Sequence, residues 1–348
     1  MKKLLSVLLL VSFAPGLLAQ DKKEREPFIV KSLTGEAVKN VEVETSGGSI
    51  TVDGTAGQQP RVEVYVWPSN SKWSETISKE EIQKRLDEDY ELTISVSNNK
   101  LTATAKNKKR NWDWKRSLSI SFKVYAGSNL STRLRTSGGS IHLTALSGTQ
   151  DFTTSGGSLH VDKLKGKING RTSGGSIHVK DSNDEIDLTT SGGSIHADNC
   201  TGKIELTTSG GSLQLKNLSG TIEATTSGGS IRGGYISGEL QTHTSGGNIN
   251  LDELMCSIEA STSGGSIDVS VKELGKYVKL SNSGGNIDLE LPSSKGLDLK
   301  LTGSKIKTDK LGNFSGSVED DEINGKLNGG GTPITVRAGS GRIYMVLK

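Results

Sequence analysis

Copies of Thr-Ser-Gly-Gly begin at Thr136, Thr154, Thr172, Thr190, Thr208, Thr226, Thr244 and Thr262, seven successive steps of 18 residues without a slip. Such a strict period constrains the fold more than composition can. Self-similarity at a fixed spacing marks a solenoid, in which one repeat cannot bury its own hydrophobic face and must stack on its neighbours. Looser copies follow at Asn282 and Thr302, each a step of 20, and an isolated copy, TSGGSITV, starts at Thr45.

Columns read down the repeat show which way each position faces. Two residues after the second glycine stand Ile141, Leu159, Ile177, Ile195, Leu213, Ile231, Ile249 and Ile267, and two further on Leu143, Val161, Val179, Ala197 and Leu215. A second pair follows nine residues later: Ile168/Gly170, Ile186/Leu188, Ile204/Leu206 and Ile222/Ala224. Each pair alternates with polar residues, the period of a half-buried strand. The runs are separated by a turn carrying Gly148, Gly166, Gly202, Gly220 or Gly238 and by SGG itself, where glycine is expected to supply φ > 0. One coil is therefore strand, turn, strand, turn, with a contour of about 59 Å. By the same alternation the Thr of TSGG faces inward. The outward column Asp162, Lys180, Asp198, Lys216 alternates in sign, as in-register stacking favours. A left-handed helix of hexapeptides would need an apolar residue every six positions, which the columns do not supply.

Residues 20–135 read differently, as an N-terminal β-rich cap. VEVYVW from Val62, LTISVS from Leu92, LTATAK and SLSISFKVY have the alternation of longer strands. Ser78 and Glu81 form a capping box ahead of Ile82 and Leu86, which predicts one short helix ending near Asp89. Such a cap would hide the open edge of the first coil, with the solenoid occupying 136–348 and the closing run RIYMVLK capping its far end. The fold class expected is all-β, a single-stranded β-helix of 18–20-residue coils.

The first residues, MKKLLSVLLLVSFAPGLLAQ, carry two lysines, an apolar stretch and a small residue before a polar one, the pattern of a secretory signal over 1–19. The apolar run is too short to span a bilayer, and no later stretch is apolar enough. Formal net charge is +3, or +1 without Lys2 and Lys3, so global charge names no partner and makes nucleic acid a poor fit. Cys200 and Cys256 lie three coils apart, about 14 Å at the strand spacing, so two unpaired thiols are expected.

TSGGSI copies at 18-residue spacing, a first copy placed before an insert, and the lead-in SFKVYAGSNLSTRLRTSGGSIH resemble the putative-adhesin group of bacterial envelope domains of unknown function, related to head-GIN domains. The resemblance covers nearly the whole chain after the signal. It implies a right-handed single-stranded β-helix in an exported protein and brings no catalytic residues. The final 20-residue coils and the Trp- and Lys-rich insert depart from the pattern.

Four histidines, His142, His160, His178 and His196, occupy one outward column in consecutive coils, where two rings could share a transition-metal ion. Stacked polar side chains continued by Gln214, Arg232, Asn250 and Asp268 are the plainer reading. Ser158, His160 and Asp162 have triad residue types, but they would lie flat on a sheet without a pocket or oxyanion donors. The acidic turns 181–185 and 318–322 match no calcium-loop spacing. The cap holds all four tryptophans, Trp67, Trp73, Trp112 and Trp114, and six basic side chains between Lys106 and Arg116. Trp112, Trp114, Lys108, Lys109 and Arg110 are thus candidates for binding an anionic envelope glycan. No cofactor is expected. The function expected is a non-enzymatic envelope protein, adhesin-like or structural, with envelope glycan or another envelope protein as partner. The alternatives are a β-helix carbohydrate-active enzyme and an envelope-stress or assembly partner.

Overall fold

The computed structural model describes residues 26–69, 77–108 and 114–348, with only the backbone of Trp114. The expected signal at 1–19 and the tip of the insert lie outside them. Among the described residues, strands form one continuous stack, parallel between coils and antiparallel at its two ends, with a single α-helix, Lys79–Asp89. Ser78 caps that helix, its hydroxyl accepting from Glu81 N, as the capping box predicts.

Stacking is residue on residue in steps of 18. Leu159 pairs with Ile141 and Ile177, and Ile168 with Gln150 and Ile186. The outward charges also fall in register, Asp162 on Lys180, Lys180 on Asp198 and Asp198 on Lys216. Ile141, Leu159, Ile177 and Ile195 stack in one column and are 0–1% exposed, so an uninterrupted Ile/Leu column runs through the interior there.

Each residue of TSGGS has its own task. The Thr is buried, and its hydroxyl donates to the carbonyl of the second glycine of the preceding layer, as Thr172 does to Gly157 at 2.8 Å, while accepting from the backbone N of its own second glycine, Gly175. The closing Ser forms a second ladder: Ser140 Oγ accepts from Ser158 N, and Ser194 Oγ from Ser212 N. Buried polar backbone is thereby satisfied at a bend where strand pairing stops.

The glycines of SGG do not serve as expected. None of them has positive φ. A Cβ on the second glycine would lie about 2 Å from the carbonyl oxygen of its counterpart one layer back, 2.0 Å for Gly175 against Gly157, whereas the first glycine has ordinary room. Close backbone approach, not left-handed conformation, excludes a side chain there. The opposite turn does use positive φ, at Gly148, Gly166, Gly202, Gly220 and Gly238.

Both ends are threaded out of sequence order. The Thr45 layer, Asn40–Thr45 and Ile50–Asp53, lies between the Thr136 layer and an outer layer built from Lys100–Asn107 and Leu118–Tyr125. Two of the expected cap strands are therefore solenoid coils. The outer layer is covered by antiparallel Tyr90–Ser97 and Arg61–Pro68. At the other end Thr332–Ala338 and Arg342–Leu347 sit between the Asn282 layer and Leu297–Thr302 with Lys305–Thr308. RIYMVLK is thus an interior coil and not the cap expected for it. Antiparallel Glu322–Leu327 and Phe314–Val318 close that end instead.

Candidate functional site

The strand that follows each SGGS turn alternates its side chains, so one outward column runs unbroken along the stack. It reads Lys123, Thr51, His142, His160, His178, His196, Gln214, Arg232, Asn250, Asp268 and Asp288. The four imidazoles stack face to face with centroids 4.5, 5.2 and 4.7 Å apart and planes within 8°. Burial, and next the neighbouring ring, holds His142, His160 and His196 below the ordinary histidine value. Nδ1 of His196 is buried without a hydrogen-bond partner.

Face-to-face stacking turns ring faces toward one another, so the in-plane nitrogen lone pairs do not converge. No group of three or more His, Cys, Asp or Glu among the described residues is placed to hold a metal ion. Contrary to the expectation of a flat face, His160, sandwiched between His142 and His178, lines a cleft of about 250 Å³ with Asp162, Lys180 and Asp198, but Ser158 does not line it, so the three triad residue types are not brought together there.

Five layers along from His142, the same face opens into a groove of about 610 Å³. Its cause is local sequence: the layer that reads IRGGY puts Gly233 where other layers have Leu215 or Leu251, and Gly234 between Lys216 and Asp252. A Cβ on Gly234 would stand 2.4 Å from Asp252 Oδ1, so the missing side chain is what admits that carboxylate. Tyr235 follows in left-handed conformation at φ 57, 53% exposed on the groove wall. The alternating charge column breaks at this point. Lys180 and Asp162 pair at 3.7 Å, but Lys216 and Arg232 have no ion-pair partner among the described residues. Sequence columns locate Arg232 and Asp268, whereas the groove depends on Gly233 and Gly234, which depart from the apolar and charged columns they stand in.

Where the insert is described, its cations reach polar groups of the cap. Lys108 Nζ donates to the Asp87 carbonyl at 2.6 Å, Lys106 pairs with Glu44 at 3.1 Å, and Arg116 pairs with Glu88 and Asp89. Lys109, Arg110, Trp112, Trp73 and the side chain of Trp114 lie outside the described residues. Cys200 and Cys256 are free and buried, as expected, with burial pushing their thiols up to about 11 and about 12. No helix among the described residues is long and apolar enough to cross a membrane.

The fold defines a single-stranded β-solenoid. Residues 201–345 match the family model Toastrack DUF4097, a domain of unknown function. No curated protein matches the chain. Two solved structures match along most of the chain. One is described as a putative cell adhesion protein from Clostridium sporogenes, with 11% identity, 92% of this chain and 98% of the other covered, and TM-score 0.19. The other is described as a putative adhesin from Bacteroides fragilis, with 11% identity, 92% and 96% coverage, and TM-score 0.25.

Proposed function

We propose that the chain is an exported, non-enzymatic envelope protein whose solenoid is a rigid binding rod. The observation that carries this reading is the in-register stack itself. It holds a polar column at a fixed strand spacing over many layers, and its ends are locked by out-of-order coils. A surface of that kind suits a long, repetitive partner, because equivalent groups recur along it and little ordering entropy is lost on binding. The apolar leader at residues 1–19 supports export, and an envelope glycan or another envelope protein is the partner it would meet.

Incubation of the purified protein with a panel of envelope and extracellular polysaccharides tests this. Retention with polymer length unchanged is expected. Shortening of any polymer would replace the binding rod with a carbohydrate-active enzyme, and failure to be retained by any of them would remove glycan as the partner.

A further inference from the structure

We infer that the groove over Gly233 and Gly234 is a binding subsite for a carboxylate-bearing pyranose, a uronic acid unit of an acidic glycan. The inference deepens the reading of the solenoid as a binding rod and rests on it.

Three features of the groove point to this chemistry. The first is the unpaired cations: Lys216 and Arg232 line one groove, and neither has an ion-pair partner among the described residues. A planar guanidinium presents paired donors that match a carboxylate. The second is the acceptors opposite. Asp252 reaches into the space vacated by Gly234, and Asp268 and Asn250 line the same groove. Carboxylates so placed accept hydrogen bonds from sugar hydroxyls, and their charge opposes a polyphosphate, whose charges are more closely spaced than one carboxylate per sugar ring. The third is Tyr235, an exposed aromatic ring on the wall of a groove whose floor includes Leu215 and Leu251. An aromatic face beside an apolar floor takes the C–H face of a pyranose, while its hydroxyls and carboxylate turn to the polar rim.

Tyr235 also occupies a position where the fold asks for something else. Equivalent turn positions in the two preceding layers carry Asn199 and Asn217 at φ 53, residues that adopt left-handed conformation readily. A tyrosine there is disfavoured by the backbone and sits at the groove.

Calorimetric titration of the full chain with an oligogalacturonate, with glucuronate, with a neutral cello-oligosaccharide and with inorganic phosphate tests the assignment. The oligogalacturonate should bind, glucuronate more weakly, and the neutral oligosaccharide and phosphate should not compete. Arg232→Gln and Tyr235→Asn should each weaken the oligogalacturonate by about tenfold or more. Tyr235→Asn should do so with its thermal midpoint unchanged or raised, which separates lost binding from lost folding. Equal affinity in both variants, equal competition by phosphate, or no binding of the oligogalacturonate by the parent overturns the inference. If both variants stay on the polysaccharide panel as firmly as the parent, the subsite falls and the binding rod stands. If the parent is retained by nothing on that panel, the subsite falls together with glycan as the partner of the rod.

Discussion

The hydroxyl of Thr190 donates to the carbonyl of Gly175, one layer back, at 2.8 Å, and accepts from the backbone N of Gly193 at 3.3 Å. Through this contact a buried side chain replaces the strand pairing that the chain gives up at its bend. Thr190→Val keeps the shape and leaves both groups without a partner. Unfolding free energy should fall by about 1–2 kcal/mol in a urea titration, and an unchanged midpoint would show that the bridge contributes nothing.

The two glycines of one turn should respond differently to alanine. Gly193→Ala places its Cβ 2.1 Å from the Gly175 carbonyl oxygen, so backbone must move, and a loss of about 3 kcal/mol or more is expected. Gly192→Ala has its nearest neighbour at 3.5 Å and should stay within about 0.5 kcal/mol of the parent. Similar losses in the two variants would refute close approach as the reason for the second glycine.

Asp184 holds φ +86 in a column where Gly166 and Gly202 stand on either side of it. A non-glycine residue pays for left-handed conformation, so Asp184→Gly should stabilise by about 0.5–1 kcal/mol, read as a raised thermal midpoint. A lowered midpoint would mean that the carboxylate contributes more than the backbone loses.

The histidine column gives the rod an acid limit. Since His142, His160 and His196 are held below the ordinary value, the folded state binds fewer protons than the unfolded chain as the pH falls through about 6.5. Stability contributed by the neutral rings is present above that range and is lost below it. His142→Gln with His160→Gln copies Gln214 into the column and should flatten the acid side of a plot of thermal midpoint against pH. An equally steep acid side in the double variant would place the titration elsewhere.

Much of the stack was legible because its period is strict. A column of Ile at every eighteenth residue has only one face to bury, and alternation then fixes the inward Thr and the outward His and Asp/Lys columns. Periodicity says nothing about which layers touch when the chain leaves the repeat. The Ala338 layer, with AGSGRI in place of TSGGSI, pairs with Asn282 across more than fifty residues, and the outer layer containing Ala105 has no SGG at all. The role of the second glycine was misassigned because positive φ and close approach both select glycine, and only the layer beneath tells them apart. For the groove, the informative residues were the exceptions Gly233, Gly234 and Tyr235, which a search for repeats discounts.

The central claim is a single in-register stack whose C-terminal coil is inserted one layer from the end. Lys279 pairs with Thr335, and Thr335 with Lys300, so Lys279 and Lys300 are two layers apart, roughly 10 Å. Cys200 and Cys256 are buried with raised thiols and should stay silent. Mild oxidation of the full chain carrying Lys279→Cys and Thr335→Cys should give an intramolecular disulfide, while the pair Lys279→Cys and Lys300→Cys should not, lying beyond the roughly 7 Å limit for a bridge. Cross-linking of the second pair and not the first would mean that the layers stack in sequence order, and would contradict the account.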